Sequence, residues 1–464
     1  MIRKLLSFIV FVLLTFVAYL LYRTFTFHSK QKEYAAVAKA AISPAAAHRL
    51  AKAISIATVS YENVSDLDTA AFQEFGELLR HSYPLVHAHL SRKVFNNYSY
   101  LFTWQGSDVQ LKPVVLVAHL DVVPVAEDDA GAWAFPPFGG IIDQGTVWGR
   151  GALDDKVSVM GILEAVEFLL GQNFAPQRTV LLAFGHDEEV GGQQGAKAIA
   201  EYMEREQISA EFVLDEGYAI THGLVPGVLT DVALIGIAEK GFASVDLSVE
   251  IDGGHSSMPH ESTAIEALSR AVTRLADHPF DAEISSPVKQ FISFVGPEMR
   301  FQEKLVFANS GIFESAILNI YQQSFASRAL VQTTVVPTIF HAGIKDNVVP
   351  GRASVTVNYR ILPGTSIDEI VEKTKQAIGD DRIELRLRDF RSEASPVSAT
   401  DTRAFEIVSK SIKEVYPTVI TVPNLVIAAT DSRHFANISD GIYRFCPSTS
   451  LPTIFHPFTV SMKT

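Results

Sequence analysis

The sequence Val-Val-Leu-Val-Ala-His-Leu-Asp, from Val114 to Asp121, decides the fold of this chain. Its first five residues are apolar and rich in β-branched side chains, which is typical of a short buried strand. The histidine therefore stands where a strand ends, and a carboxylate follows two residues later. Further along, Val180–Phe184 predicts a second buried strand, and the acidic run His186–Gly192 follows it. Polar residues thus follow directly after both predicted strands.

Predicted helices separate these strands. One covers residues 155–170 and stops at Gly171, another covers 193–205, and a strand at 212–214 leads into Asp215-Glu216-Gly217. Upstream, helices are predicted at 44–54 and 68–81 and a strand at 98–104. The order β–α–β–α–β predicts an α/β fold with a doubly wound, mostly parallel sheet. Ligands of such sheets bind outside the carboxyl ends of the strands.

A second kind of pattern begins near residue 239. Residues 242–250 and 354–361 alternate apolar and polar, as half-exposed strands do. Helices are predicted from 263 to 276, capped by Ser262, and from a capping box at Ser366 to Gly379, with a strand at 382–387. This pattern predicts a ferredoxin-like α+β domain. A predicted strand at 422–427 rejoins the first domain, so the second domain is an insertion.

The predicted boundaries are residues 1–30 for an N-terminal anchor, 43–238 and 393–464 for the two parts of the first domain, and 239–392 for the insertion. Within the insertion, residues 291–335 are rich in Phe and Ile. This segment could line a membrane interface or a substrate site, but ordinary helical packing is the interpretation that we favour.

Composition excludes several classes of protein. The 464 residues are 47% hydrophobic and carry a net charge of −13, with no basic clusters, which argues against nucleic-acid binding. The single cysteine, Cys446, excludes an intramolecular disulfide framework and a thiolate zinc cluster. Any metal must therefore be held by histidine and carboxylates.

The N-terminus contains an uncharged apolar run from Leu5 to Tyr22. As a helix these residues would reach ~27 Å, close to the hydrocarbon thickness of a bilayer. A cleaved signal peptide is the alternative, but its apolar region is normally shorter and followed by small residues. We therefore expect a single-pass anchor with the catalytic domain on the non-cytoplasmic side, although the basic residues on its two sides do not fix the orientation.

The acidic groups at the strand ends point to a metal. A single histidine at a strand end is more often structural than a ligand, and exposed acidic pairs are usually solvated surface. Here, however, Gly149–Lys156 contributes Asp154 and Asp155, and the two strand-end runs add further carboxylates. Carboxylates that converge on one sheet edge repel one another unless a cation holds them.

The order of these motifs resembles a known family. His119-x-Asp121, Gly149-Arg-Gly-x-x-Asp-Asp-Lys156, Asp187-Glu-Glu-x-Gly-Gly192 and Asp215-Glu-Gly217 resemble the co-catalytic zinc aminoacylase and carboxypeptidase family. That family includes the aminoacylases, carboxypeptidase S and succinyl-diaminopimelate desuccinylase. The chain looks most similar to its carboxypeptidase S and N-fatty-acyl-amino-acid hydrolase branch, from about residue 46 to 447.

The resemblance implies two zinc ions and a ligand for each position. His119 would bind one ion, Asp154 would bridge both, Glu189 would bind the second and Glu216 the first, with Asp215 as the alternative to Glu216. Asp121 would orient His119 by accepting its other N–H. The resemblance also implies a cis peptide between Asp154 and Asp155.

Glu188 is the implied general base. A base must reach the attacking water without being tied to metal, and adjacent carboxylates at a strand end can point in different directions. One of the pair Glu188 and Glu189 can therefore be the base and the other a ligand. Two metals would lower the pKa of the water and polarise the scissile carbonyl.

Further matches concern the substrate. His255, in Gly253-Gly-His-Ser-Ser257, resembles a histidine that polarises the substrate carbonyl across a dimer interface, which implies a homodimer. Asn347 resembles a substrate-contacting Asn, and Arg360 resembles the Arg that holds the substrate's carboxylate by a bidentate pair. Residues 430–433, Thr-Asp-Ser-Arg, match a family segment without an assigned role.

The C-terminal segment departs from the family. Its members end with a histidine in a His-Gly-x-Asn-Glu setting that completes the second metal site, followed by a long helix. Here the resemblance stops after Phe445, and residues 446–464 have three prolines and predict no helix. His456 is the only late histidine, and its context differs. We therefore expect a loosely held second zinc, unless His456 or His434 completes the site.

The motifs together predict a zinc-dependent hydrolase anchored in a membrane. It would cleave an amide next to a free carboxylate and release an amino acid from an N-acyl-amino acid or a short peptide. The alternative, favoured only by the altered tail, is a catalytically impaired relative that acts as a binding or regulatory protein.

Overall fold

The computed structural model describes residues 1–38, 40, 43–126, 131–258 and 261–450. Residues 449 and 450 are described by their backbone alone. The chain forms two compact units. The larger unit contains residues 30–237, 398–423 and the chain from 430 onward. The smaller unit contains residues 1–29, 238–397 and 424–429. The tail beyond Ser450, with His456, lies outside the described residues.

The chain begins with helix α1 (Ile2–Phe25), which belongs to the smaller unit. Within the described part of the chain it is the one helix long and apolar enough to cross a membrane. A membrane anchor and a signal sequence share this length and composition, so the helix fits either of the two predictions.

The larger unit is built first by alternating helices and strands. Its helices in this part are α2 (Pro44–Ile54), α3 (Thr69–Ser82), α4 (Pro84–His89), α5 (Lys156–Gly171) and α6 (Ala196–Arg205). Its strands are β1 (Ser91–Phe95), β2 (Ser99–Trp104), β3 (Val114–His119), β4 (Ile141–Asp143), β5 (Thr146–Trp148), β6 (Val180–Gly185), β7 (Phe212–Thr221) and β8 (Val232–Glu239). Ser43 and Asp68 cap α2 and α3 through their side chains, where the sequence predicted both helices to begin.

The smaller unit follows. Its strands are β9 (Gly241–Glu250), β10 (Gly254–His255), β11 (Thr334–Ala342), β12 (Val348–Val349), β13 (Arg352–Ile361) and β14 (Glu384–Leu387). Its helices are α7 (Ala264–Asp277), α8 (Ser286–Val295), α9 (Phe301–Ala308), α10 (Glu314–Tyr321), α11 (Phe325–Val331) and α12 (Ile367–Ile378). The chain then adds α13 (Arg403–Val415), β15 (Ile420–Val426) and β16 (Ile442–Ser450). Single 3-10 turns lie at Val64–Asp66, Glu188–Val190, Gly296–Glu298 and Asp431–Phe435.

The sheet of the larger unit has the strand order β1-β2-β6-β3-β7-β16-β8-β15. Its centre, β6, β3, β7 and β16, is parallel, whereas β1, β2 and β8 pair antiparallel with their neighbours. Both faces are covered: Leu182 and Phe184 pack in one apolar cluster with α2 to α5, and Leu181 and Ala183 pack in another with α6. The predicted doubly wound α/β fold is therefore confirmed.

The sheet of the smaller unit is antiparallel, with the order β11-β13-β9-β14. Helices α7 and α12 pack on its apolar face. The capping box of α12 at Ser366 and Glu369 and its left-handed C-cap at Gly379 are as predicted. The predicted cap of α7, Ser262, is wrong: Thr263 caps this helix and forms a capping box with Glu266. Residues 286–331 are mainly helical, from α8 to α11, as we favoured.

One strand boundary bears on the site. The sequence predicted a strand at 212–214 with Asp215 and Glu216 after its end, but β7 continues through both residues to Thr221. Pairing with β16 accounts for the extension, because β16 follows β7 from Val213 to Thr221 with two irregularities. Asp215 and Glu216 are therefore consecutive strand residues, directly before an irregularity in the pairing with β16.

Candidate metal centre

The candidate site lies at the carboxyl ends of the parallel strands. His119 is the last residue of β3 and stands opposite Gly185, the last residue of β6. The turn Glu188–Val190 follows β6 directly. Because the two strands are parallel neighbours in register, His119 and the two glutamates meet at one edge of the sheet.

His119 is buried and contacts carboxylates through both ring nitrogens. Its Nδ1 lies 3.0 Å from the carbonyl oxygen of Asp121 and 3.3 Å from Oδ1 of the same residue. Its Nε2 lies 2.9 Å from Asp154 Oδ1 and 3.4 Å from Glu216 Oε1. Burial alone would lower the pKa of His119, but the hydrogen bonds with the three acidic residues outweigh burial and raise that pKa well above its usual value. An Nδ1–H that donates to Asp121 leaves Nε2 to face a cation.

The Asp121 carboxylate holds the backbone of the glutamate turn. Its Oδ1 accepts a hydrogen bond from the Glu188 N–H at 3.1 Å, and its Oδ2 accepts one from the Glu189 N–H at 3.1 Å. Ser60 donates a third, at 2.6 Å. Burial would raise the pKa of Asp121, but its hydrogen bonds hold the pKa below the usual value. The sequence predicted only the contact between Asp121 and His119. In that contact the backbone carbonyl oxygen of Asp121 lies nearer to the His119 Nδ1 than the carboxylate does.

Asp154 and Asp155 have different surroundings. Asp154 is 64% exposed at its side chain and reaches His119, while Asp155 is buried and its Oδ2 accepts a hydrogen bond from the backbone N–H of His119 at 3.3 Å. The peptide bond between them is cis, as the family resemblance implies. The role of Asp155 was missed in the sequence, where it reads as half of a solvated acidic pair.

Glu188 and Glu189, the glutamates of the turn, have raised pKa values in the absence of a cation. Burial, followed by the charge of Asp154, raises the pKa of Glu189 to about 8. Burial also raises the pKa of Glu188 well above its usual value, with Asp431, Glu216 and Asp121 adding to the rise. Buried carboxylates in this number lose stability as anions unless a positive charge is present.

Asp215 and Glu216 contact different partners. The Asp215 carboxylate is buried and accepts hydrogen bonds from the backbone N–H groups of Glu216 at 2.9 Å and Ser432 at 2.7 Å. Glu216 points to His119 instead, and burial raises its pKa to about 7. The geometry therefore favours Glu216 over Asp215 as the residue that can reach a cation beside His119.

The segment without an assigned role, residues 430–433, packs beneath the site. Asp431 is buried, and both of its carboxylate oxygens lack a hydrogen-bond partner among the described residues. Burial, with Asp215 and Asp187, raises its pKa well above the usual value. Gly192, at φ +65°, adjoins Asp431, and a Cβ at Gly192 would collide with the Asp431 carboxylate. Half-buried His434 lies nearby, with its Nε2 3.0 Å from the carbonyl oxygen of Gly191.

Three further predicted residues lie in the smaller unit. His255 is exposed in β10, and its Nδ1 lies 2.8 Å from Ser257 Oγ. The carbonyl oxygen of Asn347 accepts a hydrogen bond from the Ser256 N–H at 3.2 Å, and β10 pairs with β12, so the structure brings His255 and Asn347 together. Arg360 lies on β13, with its guanidinium 4.9 Å from the centre of the Phe242 ring.

The donor set suits a divalent cation. One ligand atom from each of His119, Asp154 and Glu216 lies within 4.8 Å of the others. Imidazole nitrogen and carboxylate oxygen are ligands that zinc accepts. Burial first, and then the charges of neighbouring carboxylates, raise the pKa values of Glu189 and Glu216, and a cation bound here would favour their ionised forms.

A parallel α/β sheet that gathers a histidine and several carboxylates at its strand ends is suited to bind a divalent metal ion. Comparison with known families agrees, because the model of peptidase family M20/M25/M40 matches residues 115–459. The chain belongs to this family. The match continues past Phe445, where we expected the similarity to stop.

Named relatives cover most of the chain. It is 41% identical to "Probable carboxypeptidase S-like 2" of Dictyostelium discoideum over 405 residues. The aligned part covers 86% of this chain and 78% of the relative. It is 41% identical over 410 residues to N-fatty-acyl-amino acid synthase/hydrolase PM20D1 of Mus musculus, over 87% of this chain and 80% of the relative. These relatives confirm the predicted branch and indicate a hydrolase rather than a non-catalytic protein.

The fold is shared with a solved structure. The M20 family metallo-carboxypeptidase Sso-CP2 from Sulfolobus solfataricus superimposes with a TM-score of 0.64 at 18% identity, over 88% of this chain and 92% of that protein. At this identity the likeness concerns the fold.

Proposed function

We propose that this chain is a membrane-anchored, zinc-dependent amidohydrolase. It cleaves an amide bond next to a free carboxylate and releases an amino acid from an N-acyl-amino acid or a short peptide. The observation that carries the proposal is the buried His119 beside Asp154 and Glu216, with Glu188 and Glu189 on the neighbouring turn.

His119, Asp154, Glu189 and Glu216 would hold two zinc ions, with Asp154 between them and the second ion held more loosely. Zinc bound there would polarise the scissile carbonyl and lower the pKa of the attacking water. One ion would then have three protein ligands, His119, Asp154 and Glu216, and the other would have Asp154 and Glu189.

Glu188 acts as the general base. It is adjacent to Glu189 but is not among the proposed ligands, and the backbone N–H groups of both residues are held by Asp121. This arrangement fixes the turn while leaving the Glu188 carboxylate to take a proton from water and to pass it to the leaving nitrogen. Asp121 also keeps His119 in the tautomer whose Nε2 faces the site.

Residues of the smaller unit bind the substrate in this proposal. Arg360 pairs with the free carboxylate, Asn347 contacts the substrate, and His255 polarises the scissile carbonyl from a second copy of the chain. The names of the relatives support this substrate class: a carboxypeptidase and an N-fatty-acyl-amino acid hydrolase both act on molecules with a free carboxylate. The Phe242 ring lies 4.9 Å from the Arg360 guanidinium, whose planar fork would form such a pair.

The first prediction tests the substrate class through Arg360. Arg360→Lys should lower kcat/KM for an N-acyl-amino acid nearly as much as Arg360→Ala, because lysine supplies the charge without the planar fork. The loss expected for a charge-assisted pair is roughly 10- to 100-fold. Turnover of a panel of N-acyl-amino acids and of the matching carboxamides measures it.

Arg352→Lys is the matched control, because Arg352 lies on the same strand and pairs with exposed Glu250. It should leave turnover unchanged. Equal turnover of acids and carboxamides by the unmodified chain would exclude the proposed recognition of the carboxylate.

A further inference from the structure

Helix α1 has two parts with different surroundings. From Ile2 to Tyr19 its side chains are exposed, although nearly all of them are apolar. In its last turns, by contrast, Leu20 and Thr24 are buried. The helix therefore projects most of its length away from the smaller unit and is attached to that unit only near its C-terminal end.

The attachment is a specific one. Buried Asn309, which follows α9, donates through Nδ2 to the carbonyl oxygen of Leu20 at 3.2 Å and to Thr24 Oγ1 at 3.4 Å. The rings of Phe25 and Phe301 lie 6.2 Å apart. Phe27 packs on Gly296, where a Cβ would stand 2.5 Å from its ring. Polar, aromatic and close backbone contacts thus join the end of α1 to α9 and the turn before it.

This attachment fixes the level of the insertion relative to a membrane. The exposed, uncharged residues from Leu5 to Tyr19 span ~22 Å, which is most of the hydrocarbon thickness of a bilayer. If they cross the bilayer, the next turn, where Leu20 is buried against the insertion, lies at its surface. Tyr19, Tyr22 and Arg23 in these turns are residues that favour the interface.

Apolar side chains of the insertion remain exposed. Phe301, beside Phe25, is 52% exposed. Ile320 in α10 is 60% exposed and Phe325, the first residue of α11, is 89% exposed. The guanidinium of Arg328 lies 5.9 Å from the centre of the Phe325 ring, so a cation accompanies the most exposed aromatic side chain. Aromatic and basic side chains together suit the headgroup level of a bilayer.

We propose that residues 286–331, from α8 to α11, form a membrane-contacting surface that lies on the same bilayer that α1 crosses. Phe325 and Ile320 enter the lipid interface, and Arg328 meets its phosphates. The inference rests on the proposed anchor. It commits to lipid rather than to a second protein, because the insertion is joined to the exit point of an apolar membrane-length helix.

The test uses the full chain in vesicles of phosphatidylcholine and phosphatidylserine. In a Cys446→Ser background, single cysteines replace Phe11, Ile320, Phe325 or Ile344, and each carries an environment-sensitive fluorophore. Ile344 is the matched control, since it is 96% exposed and lies in the smaller unit outside residues 286–331. Lipids with nitroxide groups on their acyl chains then quench any fluorophore that contacts lipid.

We expect quenching at positions 11, 320 and 325 and none at 344. Quenching at 11 alone would overturn the inference and leave the anchor standing. Quenching at none of the positions would overturn the anchor and the inference together. A blue-shifted but unquenched fluorophore at 325 would show that protein, such as a second copy of the chain, covers this surface, and would also overturn the inference.

Discussion

Among single residues, Asp121 and Asp215 do similar work. Each is a buried carboxylate that accepts two backbone N–H groups and thereby positions a neighbouring glutamate. The glutamates themselves, Glu188, Glu189 and Glu216, have raised pKa values because burial opposes their charge. The cluster therefore contains two kinds of carboxylate. Asp121 and Asp215 hold the backbone through hydrogen bonds, whereas the glutamates are available to bind a cation or a proton.

The second prediction concerns the pH dependence of zinc binding. Without metal, Glu189 has a pKa of about 8 and Glu216 a pKa of about 7. Below these values the groups are protonated, so zinc must displace protons to bind. The apparent affinity for zinc should therefore rise by at least ~10-fold per pH unit between pH 6 and 8.

Competition with a fluorescent zinc chelator at each pH measures this affinity. Glu189→Gln should flatten the rise between pH 7 and 8, because the group that titrates there is gone. An affinity that stays constant from pH 6 to 8 would contradict the assignment of these glutamates as ligands.

Among the elements, the junction of β8 and β9 is held by a buried lysine. Lys240 donates through Nζ to the carbonyl oxygens of Ala329 at 2.9 Å and Gln332 at 2.7 Å, at the end of α11. Burial, followed by the charge of Arg360, lowers the pKa of Lys240 to about 7. A neutral amine still has two N–H groups, so both hydrogen bonds survive deprotonation.

The third prediction follows from this pKa. Between about pH 7 and 10.5 the unfolded chain keeps a proton on Lys240 that the folded chain has lost, so this group makes stability rise with pH. The rise is at most about 1.4 kcal/mol per pH unit. Lys240→Met should remove that part of the increase. Urea unfolding of both proteins at pH 7 and 9.5 measures it, and equal changes in the two proteins would refute it.

The elements also show what the sequence could predict. Strands β3 and β6 and helices α2, α3 and α12 were predicted within one or two residues, because their apolar periodicity and caps agree. Strand β11 was missed because it contains Pro337, which an edge strand tolerates next to an irregularity in its pairing. Strand β8 was also missed. Its residues before Glu239 are all apolar, and so short an apolar run does not distinguish a strand from a helix.

The site residues divide in the same way. Motif order was enough to place His119, Asp154 and the glutamates in one cluster. The separate roles of Asp215 and Glu216 depend on the continuation of β7, which tertiary pairing with β16 decides. The contacts of Asp155 and Ser60 were missed because they join residues that are distant in the sequence, and no local pattern marks them. The segment of Asp431 was noted, but its burial could not be read from the sequence.

At the scale of the whole molecule, the chain is proposed to act as a dimer. The smaller unit presents His255 on an exposed two-stranded pairing together with Asn347. In the proposed function, His255 acts on the substrate of the other protomer. Each active site of a homodimer would then consist of the metal ligands of one copy of the chain and His255 of the other.

The fourth prediction tests this arrangement by complementation. His255→Ala and Glu188→Gln proteins should each be inactive, and mixing them should restore up to about a quarter of the sites, because random exchange gives half of the dimers one hybrid site. Subunit exchange is checked with two affinity tags. No rescue despite exchange would place His255 in the site of its own chain or outside catalysis.

The central claim, that two zinc ions and Glu188 hydrolyse the amide, is tested most directly by zinc content and turnover in one variant. Glu188→Gln should keep the zinc content of the unmodified chain and lose ~100-fold or more in kcat, because a general base contributes about that factor. The matched variant Glu189→Gln should instead lose zinc. Unchanged kcat in Glu188→Gln, or loss of its zinc, would contradict the account.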